Sequence, residues 1–93
     1  MEIRWAKEAV SDLDNIQKYI ADDDANIAVE IIFYILDKIE FWLPKYKHLG
    51  HAGRVLGTRE LILSQYPYII VYTVKNNCLY VVRILHSLMK YPE

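Results

Sequence analysis

The sequence contains one cysteine, three glycines and three prolines in 93 residues. A lone Cys78 can form no intrachain disulfide, so the fold does not depend on an oxidising compartment. So little glycine and proline excludes collagen-like and low-complexity chains. No uncharged apolar run approaches the ~18 residues that cross a bilayer, and the opening MEIRWAKEAV carries acids without the long apolar stretch of a secretory leader. Also missing are a P-loop, the dinucleotide fingerprint GxGxxG, the nucleophile elbow GxSxG and the zinc motif HExxH, which sets aside the chemistries that need them. His48 and His51 have metal-like spacing, but no cysteine and few carboxylates lie near them in sequence, so a zinc site is not expected. The expectation is one cytoplasmic domain over residues 1–93, with no metal, no cofactor and no membrane partner.

Acids are scarce in one half only. Residues 1–43 hold four basic side chains against ten acids, a net of −6; residues 44–93 hold seven against Glu60 and Glu93, a net of +5. The overall charge of −1 hides this split, which suits a protein whose basic half meets an anionic partner.

Glu2 to Trp5 alternates polar and apolar residues and predicts a short first strand. From Ala6 the period changes: Ala9, Leu13, Ile16 and Ile20 form one helical face that ends near Asp22-Asp23-Asp24. Asp24 is placed to cap a second helix, with Ala28, Ile31, Ile32, Ile35, Leu36, Ile39, Trp42 and Leu43 on its buried side and Pro44 ending it. Two adjacent helices with a short join predict an antiparallel helical hairpin. A basic loop, KYKHLGHAG, leads to four β-rich runs: GRVL, TRELILS, YIIVYTV and CLYVVRIL. Asn76-Asn77 suits a tight hairpin between the last two. The expected fold is α+β, with the hairpin packed on one face of an antiparallel sheet and the other face open or used for docking.

Arg83 stands out because a regular strand would set it on the face of Leu79, Val81 and Leu85, opposite Ile70 across the hairpin. A charge among such neighbours needs a partner. Glu60 or the C-terminal carboxylate could supply one; otherwise the guanidinium is held for an anion such as phosphate. Arg54 and Arg59 open successive β segments, each close to a glycine. Three arginines converging with Tyr46, Tyr66, Tyr68, Tyr72, Tyr80 and Tyr91 fit single-stranded RNA, with guanidinium groups on phosphates and aromatic faces under bases. Tyrosine is also simply common in strands. His86 follows the last strand and has a ring suited to acid–base work, or to a plain surface hydrogen bond.

Taken in order, Gly53-Arg54, Gly57-Thr58-Arg59-Glu60-Leu61, Tyr66-Pro67-Tyr68-Ile69-Ile70-Val71-Tyr72, Arg83-Ile84-Leu85-His86 and Tyr91-Pro92 resemble the RelE/ParE toxin superfamily. Trp5, Ala9, Asp12-Leu13, Ile16 and Tyr19-Ile20 fit the same pattern. The resemblance implies the microbial RNase-like α+β fold and a toxin of a type II toxin–antitoxin module, neutralised by a cognate antitoxin that lays an acidic segment along it. It leaves the target open. RelE-like members cleave mRNA on the ribosome without a metal; ParE-like members inhibit DNA gyrase. For a nuclease, which is the leading expectation, Arg59 and Arg83 fall where phosphate-binding arginines lie, and His86 and Tyr91 are the acid–base groups. Arg54, Lys45 and Lys47 would bind the substrate. The sequence pI near 6.3 and the ending Leu-His-Ser-Leu-Met are closer to ParE-like toxins, for which the same residues would be sheet structure or gyrase contacts. A degenerate toxin acting only as a binding module is the third reading.

Overall fold

In the computed structural model, which describes residues 1–92, the chain runs β1 (Glu2–Trp5), α1 (Lys7–Ala21), α2 (Ala25–Asp37), β2 (His51–Ala52), β3 (Arg59–Ile62), β4 (Tyr68–Lys75) and β5 (Cys78–His86). The helices form the expected hairpin, and the Asp24 carboxylate caps α2 by accepting the N–H groups of Asn26 and Ile27 at 2.9 and 3.2 Å.

Past Asp37 the helix continues as a π-helical segment, Lys38–Trp42, and a last turn, Leu43–Lys45. The buried positions explain why. Ile31, Ile35, Ile39 and Leu43 recur every four residues, and all face the core. On an α-helix of 3.6 residues per turn, each such step drifts by about 40°. A wider π turn, in which Leu43 N–H reaches back to Lys38 O, cancels part of that drift and keeps Ile39 and Leu43 inside. It also leaves Phe41 and Trp42 exposed, so the expected burial of Trp42 does not occur. Pro44 stops the helix within one residue.

The sheet order is β1-β5-β4-β3-β2, all antiparallel except β1, which lies parallel to β5. The sheet is therefore mixed, because the first strand returns to pair with the last. Asn76 and Asn77 both take positive φ, 52° and 58°, and close the β4–β5 hairpin between Lys75 and Cys78. The expected strand GRVL is instead a loop. Gly53 N–H donates to Thr58 O, Thr58 N–H to Val55 O, and Gly57 sits at φ 85°, leaving Leu56 99% exposed.

A bulge decides which way the end of β5 faces. Tyr72 pairs with Val81 but Val71 pairs with Arg83, so Val82 is an extra residue. Before it, Leu79 and Val81 face the helices; after it, Ile84 does, together with Ile70 and Tyr72. Arg83 and Leu85 are switched to the opposite face, beside Ile69 and Val71. The regular-strand expectation is corrected on both counts: Arg83 stands opposite Val71, not Ile70, and not on the face of Leu79 and Val81. The second face is not bare either, since Val82 and Tyr91 pack on Ile69, Val71 and Leu85.

β1 ends opposite Val81, so among the described residues the outer edge of β5 beyond it has no strand. Asp12 of α1 takes that place. Its carboxylate accepts Ile84 N–H at 2.9 Å and holds Arg83 through Nε at 2.7 Å and a second guanidinium nitrogen at 3.0 Å. Removing one side of such a bidentate, largely buried pair strands the other. Asp12→Ala is expected to lower unfolding free energy by about 2–4 kcal/mol, against less than about 1 kcal/mol for removing the exposed Asp14–Lys18 pair on the same helix. Urea denaturation of both variants checks this; equal losses would contradict the structural role given to Asp12.

Candidate functional site

The face of the sheet turned from the helices gathers three of the residues singled out in the sequence. Tyr91 lies with its ring centre 5.4 Å from the Arg54 guanidinium and 5.9 Å from that of Arg83, a cation–π arrangement with two cations on one ring. Neither arginine is free. Arg54 donates from Nε and a terminal nitrogen to the Glu60 carboxylate at 3.1–3.2 Å, and its backbone N–H adds a bond of 2.8 Å. Arg83 is held by Asp12, as above. Glu60 is thus the partner of Arg54 and not of Arg83; the C-terminal carboxylate, the other partner expected for Arg83, lies outside the described residues.

The titration directions follow the geometry. The hydrogen bond to Asp12 holds the Arg83 guanidinium above its ordinary pKa. Burial pushes the Glu60 carboxyl up, but the side-chain and backbone hydrogen bonds and the charge of Arg54 together outweigh it and leave it below its ordinary value. An arginine whose charge is met by a carboxylate presents little net field to a phosphate.

Arg59 is placed differently. It pairs with Tyr72 and Ala52 in the sheet and donates to Gly50 O at 3.0 Å. Among the described residues no carboxylate pairs with it. It lines a shallow depression with Lys47 and His48. The loop that carries these two is fixed by Tyr72, whose buried hydroxyl accepts Gly50 N–H at 2.9 Å and donates to Lys47 O at 2.8 Å. A side chain at Gly50 would lie 2.8 Å from the Tyr72 ring and 2.9 Å from the Glu60 backbone, so the loop can approach only as glycine. Lys45 sits over the Phe41 and Tyr46 rings.

His86 pairs with Tyr68, a residue of the helix-side core, and packs edge-on against its ring at 5.6 Å. It therefore faces the other side of β5 from Arg83. Its Nδ1 accepts Leu88 N–H at 3.1 Å. The six tyrosines do not converge on the arginines as a group, although Tyr72 is the cross-strand partner of Arg59. Tyr68 and Tyr72 are buried in the core, Tyr66 packs on Tyr34, Tyr46 stacks on Trp42 and Tyr80 is on the far half of β5; only Tyr91 meets Arg54 and Arg83.

Sequence reasoning named Asp12 only as part of the family pattern and missed it as the partner of Arg83, though a signal was present: it is an acid three residues after Ala9 and four before Ile16, inside the apolar stripe of α1. It also missed the anchoring of the basic loop by Tyr72, for which a tyrosine amid a strand gives no sign.

The family described as "ParE toxin of type II toxin-antitoxin system, parDE" matches residues 3–91. The chain belongs to the ParE toxin family. A Sinorhizobium fredii protein named "Putative toxin Y4kP" is 33% identical over 91 residues, which span 98% of this chain and 93% of that one. The fold is shared with a solved chain of the chromosomal ParDE system from P. aeruginosa, at a TM-score of 0.75 and 23% identity over 92% of this chain and 95% of that one. A conserved hypothetical protein from Helicobacter pylori follows at 0.57 and 22%, over 90% and 91%. These two likenesses concern the fold. In this ParE-family chain, no helix among the described residues is long and apolar enough to cross a membrane.

The Glu60–Arg54 contact carries a pH signature. A carboxyl whose folded pKa lies below its unfolded one adds stability above the unfolded value and loses it as pH falls through the folded value. Stability is expected to hold from pH 7 to about 5 and to decline below about 4. Glu60→Gln should flatten that acid limb when urea midpoints are plotted against pH; an unchanged slope would place the titration elsewhere.

Proposed function

We propose that this chain is the toxin of a ParDE-type module, neutralised by a cognate antitoxin, and that it arrests growth by inhibiting DNA gyrase in the cytoplasm. The observation that carries the gyrase reading is the ParE family match over residues 3–91, since gyrase is the target the superfamily resemblance attaches to its ParE-like branch. The geometry favours it too. A metal-independent ribonuclease needs free cations at the phosphate and an acid–base group beside them. Here Arg54 and Arg83 are matched by Glu60 and Asp12, and His86 lies across β5 from Arg83. On this reading Arg83 and His86 are parts of the sheet, and Tyr91 is a cover for two ion-paired arginines rather than a proton donor.

Ribosome-dependent mRNA cleavage is the second reading. It is favoured by one feature only, the depression where Arg59, which meets no carboxylate among the described residues, stands with Lys47 and His48.

The two readings part on His86. Induced in a host lacking the antitoxin, wild-type toxin is expected to trigger the DNA-damage response while protein synthesis continues. His86→Ala should retain at least about half of that toxicity, because removing an exposed side chain that accepts one local hydrogen bond costs the fold little. Loss of toxicity in a folded His86→Ala protein, with translation stopping before any DNA damage, would favour the nuclease.

A further inference from the structure

Residues 41–59 contain no acid, and they carry Lys45, Lys47, Arg54 and Arg59. Two of these cations are engaged where they stand, Arg54 by Glu60 and Lys45 over the Phe41 and Tyr46 rings. The other two, Arg59 and Lys47, line one depression together with His48. Among the described residues no carboxylate pairs with any of the three. Arg59 pairs with Tyr72, whose ring lies in the helix-side core, so its guanidinium leaves the sheet on the opposite face from Glu60 and Tyr91.

The positions of these groups are set in advance. The Tyr72 hydroxyl holds Lys47 O and Gly50 N–H, and Arg59 is tethered through one guanidinium nitrogen to Gly50 O, so cation and loop are fixed to the same point. On the other rim, Thr73 Oγ1 donates to Gly57 O at 2.8 Å and ties that turn to β4. Little ordering is left to do when an anion arrives. The size and lining of the depression then decide what kind of anion. It holds about 120 Å³, well below the ~300 Å³ at which pockets for whole small molecules begin. No phenylalanine, tyrosine or tryptophan ring lines it, so it offers no platform for the unstacked base of a single strand. Val74 is the one apolar side chain among the described residues that line it, whereas a protein contact buries an apolar centre. A single phosphate group on the outside of a duplex meets all three limits.

We propose that Arg59, Lys47 and His48 bind a backbone phosphate of duplex DNA, so that the toxin grips the DNA on which gyrase works as well as the enzyme itself. The inference rests on the gyrase reading given above for the source of that DNA. In such a contact the guanidinium and ammonium groups meet the phosphate charge, and the His48 ring adds an N–H. Phosphate contacts position a protein on the duplex without reading its sequence. The chain as a whole has a net charge of −1 and no general attraction for DNA, so binding stands or falls with this one depression.

Fluorescence anisotropy of a short labelled DNA duplex, titrated with toxin alone, tests the site. Wild type is expected to bind different sequences alike, with a Kd on the order of 10⁻⁵–10⁻⁴ M at low salt and a slope of log K against log salt of about −2 for two cations. Lys47→Ala should flatten that slope by about 1 and raise Kd about threefold. Arg59→Ala should raise Kd at least about fivefold, and Lys7→Ala, on the exposed start of α1, should change neither quantity. If Arg59→Ala fails to fold, Lys47→Ala decides, because Tyr72 holds the backbone of that residue and not its side chain. Wild type that leaves the duplex unbound at low salt overturns the proposal, and so do folded variants that bind it as tightly as wild type. Single-stranded RNA bound at least about tenfold more tightly than the duplex overturns it in favour of the message. Loss of DNA-free gyrase binding in Arg59→Ala overturns it in favour of a protein carboxylate. A supercoiling assay alongside separates this inference from the reading it rests on. Gyrase inhibited by a toxin that ignores the duplex removes this inference alone, whereas duplex bound with gyrase unaffected removes the gyrase reading and leaves the phosphate site standing.

Discussion

The Asp12 carboxylate ties the two layers of the molecule together. One side chain on α1 completes the edge of β5 where β1 stops, by taking Ile84 N–H, and in the same place neutralises Arg83. Without it the end of β5 would present an unpaired N–H and an unmatched cation beside the core, both costly when shielded from water. The bulge at Val82 belongs to the same arrangement, since only the extra residue brings Arg83 to the face from which it meets both Asp12 and Tyr91. Helix packing, strand phase and the fate of the most conspicuous charge are thus one problem with one solution.

Features carried by a few adjacent residues were legible in the sequence. The Asp24 cap, the Asn76-Asn77 hairpin and the two helical stripes each depend on contacts within a turn or two, and each is where the pattern places it, apart from Ile32, Leu36 and Trp42 at the margin of the second stripe. What escaped was non-local. The parallel pairing of β1 with β5 joins residues more than seventy positions apart. Nothing in LYVVRIL marks which residue bulges, and a single extra residue inverts the face of everything after it. GRVL is β-like in composition but too short between Gly53 and Gly57 to do anything but turn.

The candidate site was legible as a set of residues and not as a constellation. Arg54, Arg83 and Tyr91 do meet, yet the arginines arrive with carboxylates attached, and those partners come from α1 and from β3. A list of cations in sequence cannot show which are already spent. Arg59, which the resemblance set beside Arg83 as a phosphate-binding arginine, is the one of the three that meets no carboxylate among the described residues, beside a loop held to the sheet by Tyr72 and Gly50.

The ParE family match, with this distribution of charge beside it, is why a ParE-type action on gyrase is the reading we favour over phosphodiester cleavage. Purified toxin assayed side by side for gyrase supercoiling and for mRNA integrity in a translating extract puts that directly to the test. The account predicts loss of supercoiling with message left intact. Message cut only where ribosomes are present, with supercoiling unaffected, would contradict it.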